Sequence, residues 1–292
     1  MNINELRVFE AVSRLGSMSR AATELHTVQS NVTARMRLLE EELGVALLRR
    51  HARGVALTPA GERFLPYAGR MLRLIADASV AARDEGTPSG NLAVGGLETT
   101  TAIRLSPVLT EYARTWPAVR LTLTSGTTAG LVDDVLEGRL DAAFVAGPLD
   151  HQELTTHTVF VEEMVLVTSR DVVTPGDLGQ VADLRTIVFR AGCSYRQRLE
   201  AYLAGLGIVV ARPLEFGSLD AILSCVAAGV GVTLLPAAVV AAASAQWDVR
   251  THALPAGLAA VETLIVHRED AWMSSALKAF IDLSRRAGTA PA

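Results

Sequence analysis

Cysteine is scarce. The 292 residues hold two, Cys193 and Cys225, too few for a disulfide framework and without the spacing of metal ligands. The start, Met1-Asn2-Ile3-Asn4-Glu5, lacks the basic segment and apolar run of a secretory signal. Long apolar runs are missing too: the greasiest stretch, around 226–243, is broken by Gly229, Gly231, Thr233 and Pro236, which argues against a membrane span. No Ser-His-Asp arrangement, phosphate-binding glycine loop or His-Glu cluster stands out. The six histidines are scattered; His157 and His267 read as strand residues, and Asp133-Asp134 as a solvated helix face. The expectation is a cytoplasmic protein that is not an enzyme, has no cofactor or metal, and does not enter a membrane.

Acid is also missing from one place. The chain carries a formal net charge of −4, yet no acid falls between Leu43 and Gly61, where Arg49, Arg50 and Arg53 lie. Residues 1–58 hold eight arginines against six glutamates, so the acidic excess belongs to the remainder. Because salt screens exposed charges beyond about 8–10 Å, a local basic strip on an acidic protein can still bind a polyanion.

The chain divides into three zones. Residues 1–58 carry short helical periods: Leu6, Phe9 and Val12 share one face, and Ser17 or Ser19 can cap a second helix running to Leu25. After a turn at His26-Thr27, a third helix runs from about Gln29 to Glu42 and stops at Gly44. Leu47–Arg50 and Val55–Thr58 read as two short strands. Residues 59–90 form a linker helix and hinge. Phe64, Ala68, Met71, Ile75, Ala78 and Ala82 recur at heptad spacing, which predicts a seam for a second copy of the chain. From 91 to 292, strands alternate with helices. Strands are expected at Asn91–Gly95, Arg120–Thr124, Ala142–Ala146, Thr186–Phe189, Pro213–Phe216, Val232–Leu235 and Glu262–His267. Helices are expected at about 107–115, 127–137, 194–205, 218–228 and 273–286. That alternation predicts a parallel sheet covered on both faces.

Two helices joined by a tight turn, the second opening with polar residues, fit a helix-turn-helix. Such a helix must bury one face and offer hydrogen-bonding groups to base edges with the other. Val32, Met36 and Leu39 supply the buried face. Gln29, Ser30, Asn31, Thr33, Arg35 and Arg37 are left outward or at the rim, with Ser30 also a candidate cap or phosphate ligand. Arg49, Arg50 and Arg53 would form a basic wing against phosphates or the minor groove. Glu40-Glu41-Glu42 lies at the far end of the helix, away from DNA.

The run SMSRAATELHTVQSNVTARMRLLEEELGVALLRRHARGVALTPAG resembles the winged helix-turn-helix of LysR-type transcriptional regulators. Ala21-Ala22, Leu38–Gly44 and Leu57-Thr58-Pro59-Ala60-Gly61 carry the match. The resemblance implies an α/β protein with an all-α N-terminal part: a winged helix-turn-helix domain, a long linker helix, and a two-subdomain effector domain like periplasmic binding proteins. It also implies a near-palindromic double-stranded DNA operator, a homodimer or homotetramer, and contact with RNA polymerase through altered DNA bending. "VQSNVTARM" departs from the family's commoner Ser-Gln-Pro-Ala-Leu-Ser pattern, which suggests its own operator preference.

In the C-terminal zone three loops after strands offer hydroxyls and free N–H groups: Thr99-Thr100-Thr101, Ser125–Thr128 and Phe189–Ser194. Arg190 or Arg196 would balance a small carboxylate. Carried over from the family, effector contacts fall on Thr99, Thr100, Ser125, Gly147, Ser194 and Gly217 or Ser218. The expected division is a DNA-binding domain at 1–58, a linker at 59–90 and an effector domain at 91–292. Its first subdomain takes about 91–161 and 266–292, its second about 162–265. Cys193 beside Arg190 and Arg196 raises a redox reading, but both cysteines read better as small packed residues. The rival to a regulator is a cytoplasmic solute-binding protein with an N-terminal protein-interaction module.

Overall fold

The computed structural model describes residues 1–51, 54–181, 183–189, 194–208, 210 and 213–289. Its contacts divide into two units, Met1–Arg83 and Asp84–Ala292.

The first unit runs α1 (Ile3–Leu15), α2 (Met18–Glu24), α3 (Gln29–Leu43), β1 (Leu48–His51), β2 (Gly54–Leu57) and α4 (Pro59–Ala81). Each boundary has a local cause. The Asn2 side chain accepts the Glu5 N–H while Glu5 accepts the Asn2 N–H, closing a capping box. Gly16 and Gly44, both left-handed, end α1 and α3. Ser17 caps α2; Thr58 caps α4 and leaves Pro59 in its first turn. Leu6, Phe9, Val12, Val32, Met36 and Leu39 close the core, with the small Ala21 and Ala22 buried on α2. Burial of each large side chain contributes about 1.5–3 kcal/mol.

The first part of the heptad seam on α4 packs within its own unit. Phe64, Ala68 and Met71 pack into this unit's own core, Phe64 with its ring 5.4 Å from that of Phe9. Helix α1 lies against α4 and takes that face. Ala78 and Ala82 at the far end are exposed. Beside the exposed end of the seam, Tyr67 is 62% and Leu74 68% exposed, with the seam residue Ala78 four residues beyond Leu74.

The second unit runs β3 (Gly90–Leu97), α5 (Glu98–Thr100), a π-helical turn (Thr101–Leu105), α6 (Ser106–Thr115), β4 (Val119–Gly126), α7 (Thr128–Leu136), β5 (Ala142–Ala146) and β6 (Leu154–Ser169). After a 3-10 turn (Pro175–Gln180) come β7 (Ile187–Phe189), α8 (Ser194–Gly205), β8 (Leu214–Phe216), α9 (Leu219–Ala227), β9 (Thr233–Pro236) and α10 (Ala237–Ala243). The chain ends with β10 (Val249–Ala253), α11 (Ala256–Ala259), β11 (Ala260–Arg268) and α12 (Ser275–Thr289). The sheet is mixed rather than parallel. β3 lies parallel to β4 and β5, but β11 is antiparallel to β5 and β6, and β6 is antiparallel to β9 and β10.

The sixteen-residue β6 explains the difference. Its first ten residues, Leu154–Glu163, pair with β11, and Met164–Ser169 pair with β9 and β10. One strand thus enters two sheets, and the chain returns through 254–259. α6 and α12 cover one core around Tyr112, Phe144 and Phe280; α9 and α10 cover another around Ile222 and Leu235. His157 and His267 sit in β6 and β11 with ring centroids 5.9 Å apart. Asp134 is held by Arg139. Cys225 is partly buried against the second of these cores, while Cys193 lies outside the described residues.

Candidate nucleic-acid interface and ligand cleft

On α3 the buried residues Val32, Met36 and Leu39 fix which face is outward. Ser30, Ala34 and Arg37 point directly away from the core and are exposed. Gln29 is exposed and accepts from the Ser19 hydroxyl at 2.9 Å. Thr33 and Arg35 are half-buried, one on each flank. Asn31 donates through Nδ2 to Thr27 Oγ1 at 2.8 Å, so part of its capacity is spent within the turn. Ser30 is not a cap, because Val28 holds that position. Arg37 pairs with Glu41 at 2.5 Å, and this bond raises its already high pKa.

The three glutamates after this face have internal partners. One Glu40 oxygen accepts the N–H groups of Leu47 and Leu48, pinning the entry to the wing. Glu42 meets the N-terminal ammonium. β1 and β2 pair antiparallel, Arg49 opposite Ala56 and Arg50 opposite Val55, and Arg49 is exposed. Arg53 lies outside the described residues, as does the side chain of Arg50. The wing docks on the end of α1 by backbone, Val55 N–H donating to Gly16 O at 3.0 Å, and within the wing Thr58 N–H donates to Leu47 O at 2.9 Å. A Cβ on Gly61 would stand 2.1 Å from Leu47 O, which gives the Thr-Pro-Ala-Gly run its physical reason.

The second unit contains a cavity of about 430 Å³. Of the expected ligand residues it is lined by Thr99, Ser125, Ser194 and Gly217; Leu97, Glu98, Gly126, Thr127, Phe189, Tyr195 and Phe216 complete it. The polar contributors lie at or just past the ends of β3 and β4 or begin α8, as ligand sites at strand ends do. The Thr99 and Tyr195 hydroxyls lie 3.5 Å apart across it.

The other expected residues are elsewhere. Thr100 is buried beside Ile103, Glu162 and Val239, and Thr101 Oγ1 is buried without a described partner. Gly147 packs on Leu264, with its carbonyl 3.5 Å from Arg198 Nη2. Ser218 precedes α9. Arg196 is held by Glu200 at 2.8 Å and Glu215 at 3.1 Å, which together raise its pKa against the opposing effect of burial. Arg190 lies outside the described residues. The sequence reading missed Glu98, Tyr195 and Phe216. Glu98 and Tyr195 each adjoin a selected hydroxyl, so the signal available was neighbourhood.

A winged helix-turn-helix reader joined to a mixed α/β ligand-binding domain defines a DNA-binding regulator of transcription. The chain belongs to the LysR family: residues 3–62 match "Bacterial regulatory helix-turn-helix protein, lysR family" and residues 85–289 match "LysR substrate binding domain". It is 40% identical over 282 residues to the uncharacterized HTH-type transcriptional regulator YusT of Bacillus subtilis, covering 97% of this chain and 95% of that one. It is 38% identical to the regulator GltR of the same organism, covering 96% and 95%. The crystal structure of CbnR, a LysR family transcriptional regulator, superposes with a TM-score of 0.65 at 26% identity, covering 99% of this chain and all of that one. The protein is therefore a LysR-type regulator modulated by a small-molecule effector, not an enzyme, which decides against the solute-binding alternative. Among the described residues no helix is long and apolar enough to cross a membrane.

Proposed function

We propose that this regulator acts in the cytoplasm as a homodimer or homotetramer on a near-palindromic double-stranded operator, and that a ligand in the 430 Å³ cavity alters how it engages RNA polymerase. The outward polar face of α3 carries this reading. Gln29, Ser30, Thr33 and Arg37 line one open surface of the helix, and Asn31 and Arg35 lie half-buried off it. Arg49, Arg50 and Arg53 on the wing serve phosphates. A solved complex of CbnR with its target DNA supports the DNA partner: its TM-score is 0.52 at 25% identity.

The cleft reading assigns effector contacts to Thr99, Ser125, Ser194 and Gly217, which share one cavity. The transfer of β6 between sheets at Glu163–Met164, and the return through 254–259, supports a hinge between two subdomains. A small carboxylate finds less support than the sequence suggested, since Arg196 is already paired with two glutamates.

Gel-shift titration on the DNA upstream of its own gene tests the reader. Arg35→Ala is expected to erase the margin between operator and random DNA. Arg49→Ala is expected to weaken both alike and reduce the salt slope by about one. Equal losses on both DNAs for Arg35→Ala would remove the base-contact assignment.

A further inference from the structure

The described lining of the cleft has one charged side chain, and it is an acid. Glu98 is half-buried in the cavity wall, and among the described residues its carboxylate has no hydrogen-bond or ion-pair partner. Two described arginines are engaged elsewhere: Arg104 holds Glu162 through two bonds, at 2.8 and 3.2 Å, and Arg196 holds Glu200 and Glu215, while Arg190 lies outside the described residues. Glu98 opens a helical run that continues through the π turn to Thr115, so the helix N-terminus offsets part of its charge, yet that end supplies its carboxylate with no described hydrogen bond. The remaining walls are the rings of Phe189, Tyr195 and Phe216 and the hydroxyls of Thr99, Ser125, Thr127 and Ser194. Aromatic faces attract cations, and hydroxyl oxygens accept from them. An unpaired carboxylate among π faces in a partly enclosed space selects positive charge, because a charge-assisted bond there offsets the cost of desolvating the acid.

We propose that the effector carries a protonated amine and that Glu98 is the residue that selects it. The proposal rests on the cleft reading above. A carboxylate elsewhere on the same ligand is compatible with it; a ligand with acid groups alone is not.

The test uses the full-length protein and three matched panels: L-amino acids, the amines left by decarboxylating them, and the acids left by removing their amino group. Binding is measured by calorimetry and thermal shift. Binders are expected in the first two panels, with each deaminated counterpart weaker by about tenfold or more. Glu98→Gln should remove that margin and Glu98→Asp should keep part of it. If Glu98→Gln proves unstable without ligand, the margin between matched compounds on the unaltered protein still decides. An acid binding as tightly as its amine-bearing partner, or a margin unchanged in Glu98→Gln, overturns the assignment and leaves the cleft reading standing. No binding in any panel counts against both.

Discussion

The Glu40 carboxylate accepts the N–H groups of Leu47 and Leu48 through one oxygen, at 2.7 and 3.0 Å. Those donors open the wing, so the carboxylate ties α3 to the start of β1. Glu40→Ala leaves two partly buried N–H groups unmatched, which costs about 1–3 kcal/mol. Thermal denaturation should show a lower melting temperature and gel shifts a weaker complex, with Glu40→Gln near the parent because its amide oxygen still accepts. A Glu40→Ala melt equal to the parent's would refute the anchoring role. Asp84 makes a second residue-scale case. The Ser275 hydroxyl at 2.6 Å, the Ser275 N–H at 2.7 Å and the Gly86 N–H bring its pKa down to about 2 from the ordinary 3.8. The folded state therefore binds its proton less readily than the unfolded one. Its contribution is complete above pH 4 and is lost as pH falls from there towards 2. The melting-temperature gap between the parent and Asp84→Asn should be constant from pH 5 to 7 and narrow below pH 4; a gap that ignores pH would remove the carboxylate from the account.

At the scale of elements, the π-helical turn Thr101–Leu105 connects the cleft loop to the strand that changes sheets. Arg104 spans from this turn to Glu162, buried two residues before the transfer at Met164, and lies 5.5 Å above the Phe160 ring. Glu162→Gln keeps shape but leaves a partly buried guanidinium with a weaker acceptor, a loss of about 1–3 kcal/mol. Arg104→Met combined with Glu162→Leu should recover part of it, since an apolar pair needs no desolvation. Denaturant unfolding of the four-member cycle measures this, and strictly additive losses would mean the two residues do not act together. This device was not legible in the sequence. The short apolar runs of β3, β5 and β9 announce buried strands, and caps at Ser17, Thr58 and Gly44 announce helix ends. β6 hides because its first ten residues, Leu154–Glu163, mix a polar run, Thr155–Thr158, with an exposed Val161 and a buried Glu162. Only the later run Met164–Val167 is apolar throughout, and the parallel sheet was inferred without the long antiparallel strand. In the cleft, hydroxyls after strands could be named, whereas Glu98 and Phe216 needed the fold to bring them to one cavity.

For the whole molecule, α4 decides how many copies are required. Heptad spacing on one chain cannot say whether its face meets a second copy or its own domain, since both bury the same apolar residues. Here α1 takes Phe64, Ala68 and Met71, and the apolar residues left in water include Tyr67, Leu74, Ala78 and Val80. A helix of 23 residues is roughly 35 Å long, enough for a paired seam of this spacing. Two copies joined there would present two recognition helices, so affinity for a two-half-site operator depends on the seam through effective concentration. Leu74→Glu places a charge on the most exposed large apolar residue of that helix while leaving the core of the first unit untouched. Light scattering should then report a shift towards smaller species. Operator affinity should fall by about a hundredfold or more, while affinity for a single half-site stays within about twofold. Ligand binding in the cleft should be unaffected. A Leu74→Glu protein that keeps the parent's mass and operator affinity would mean that the pairing surface lies elsewhere and that this apolar line has another occupant.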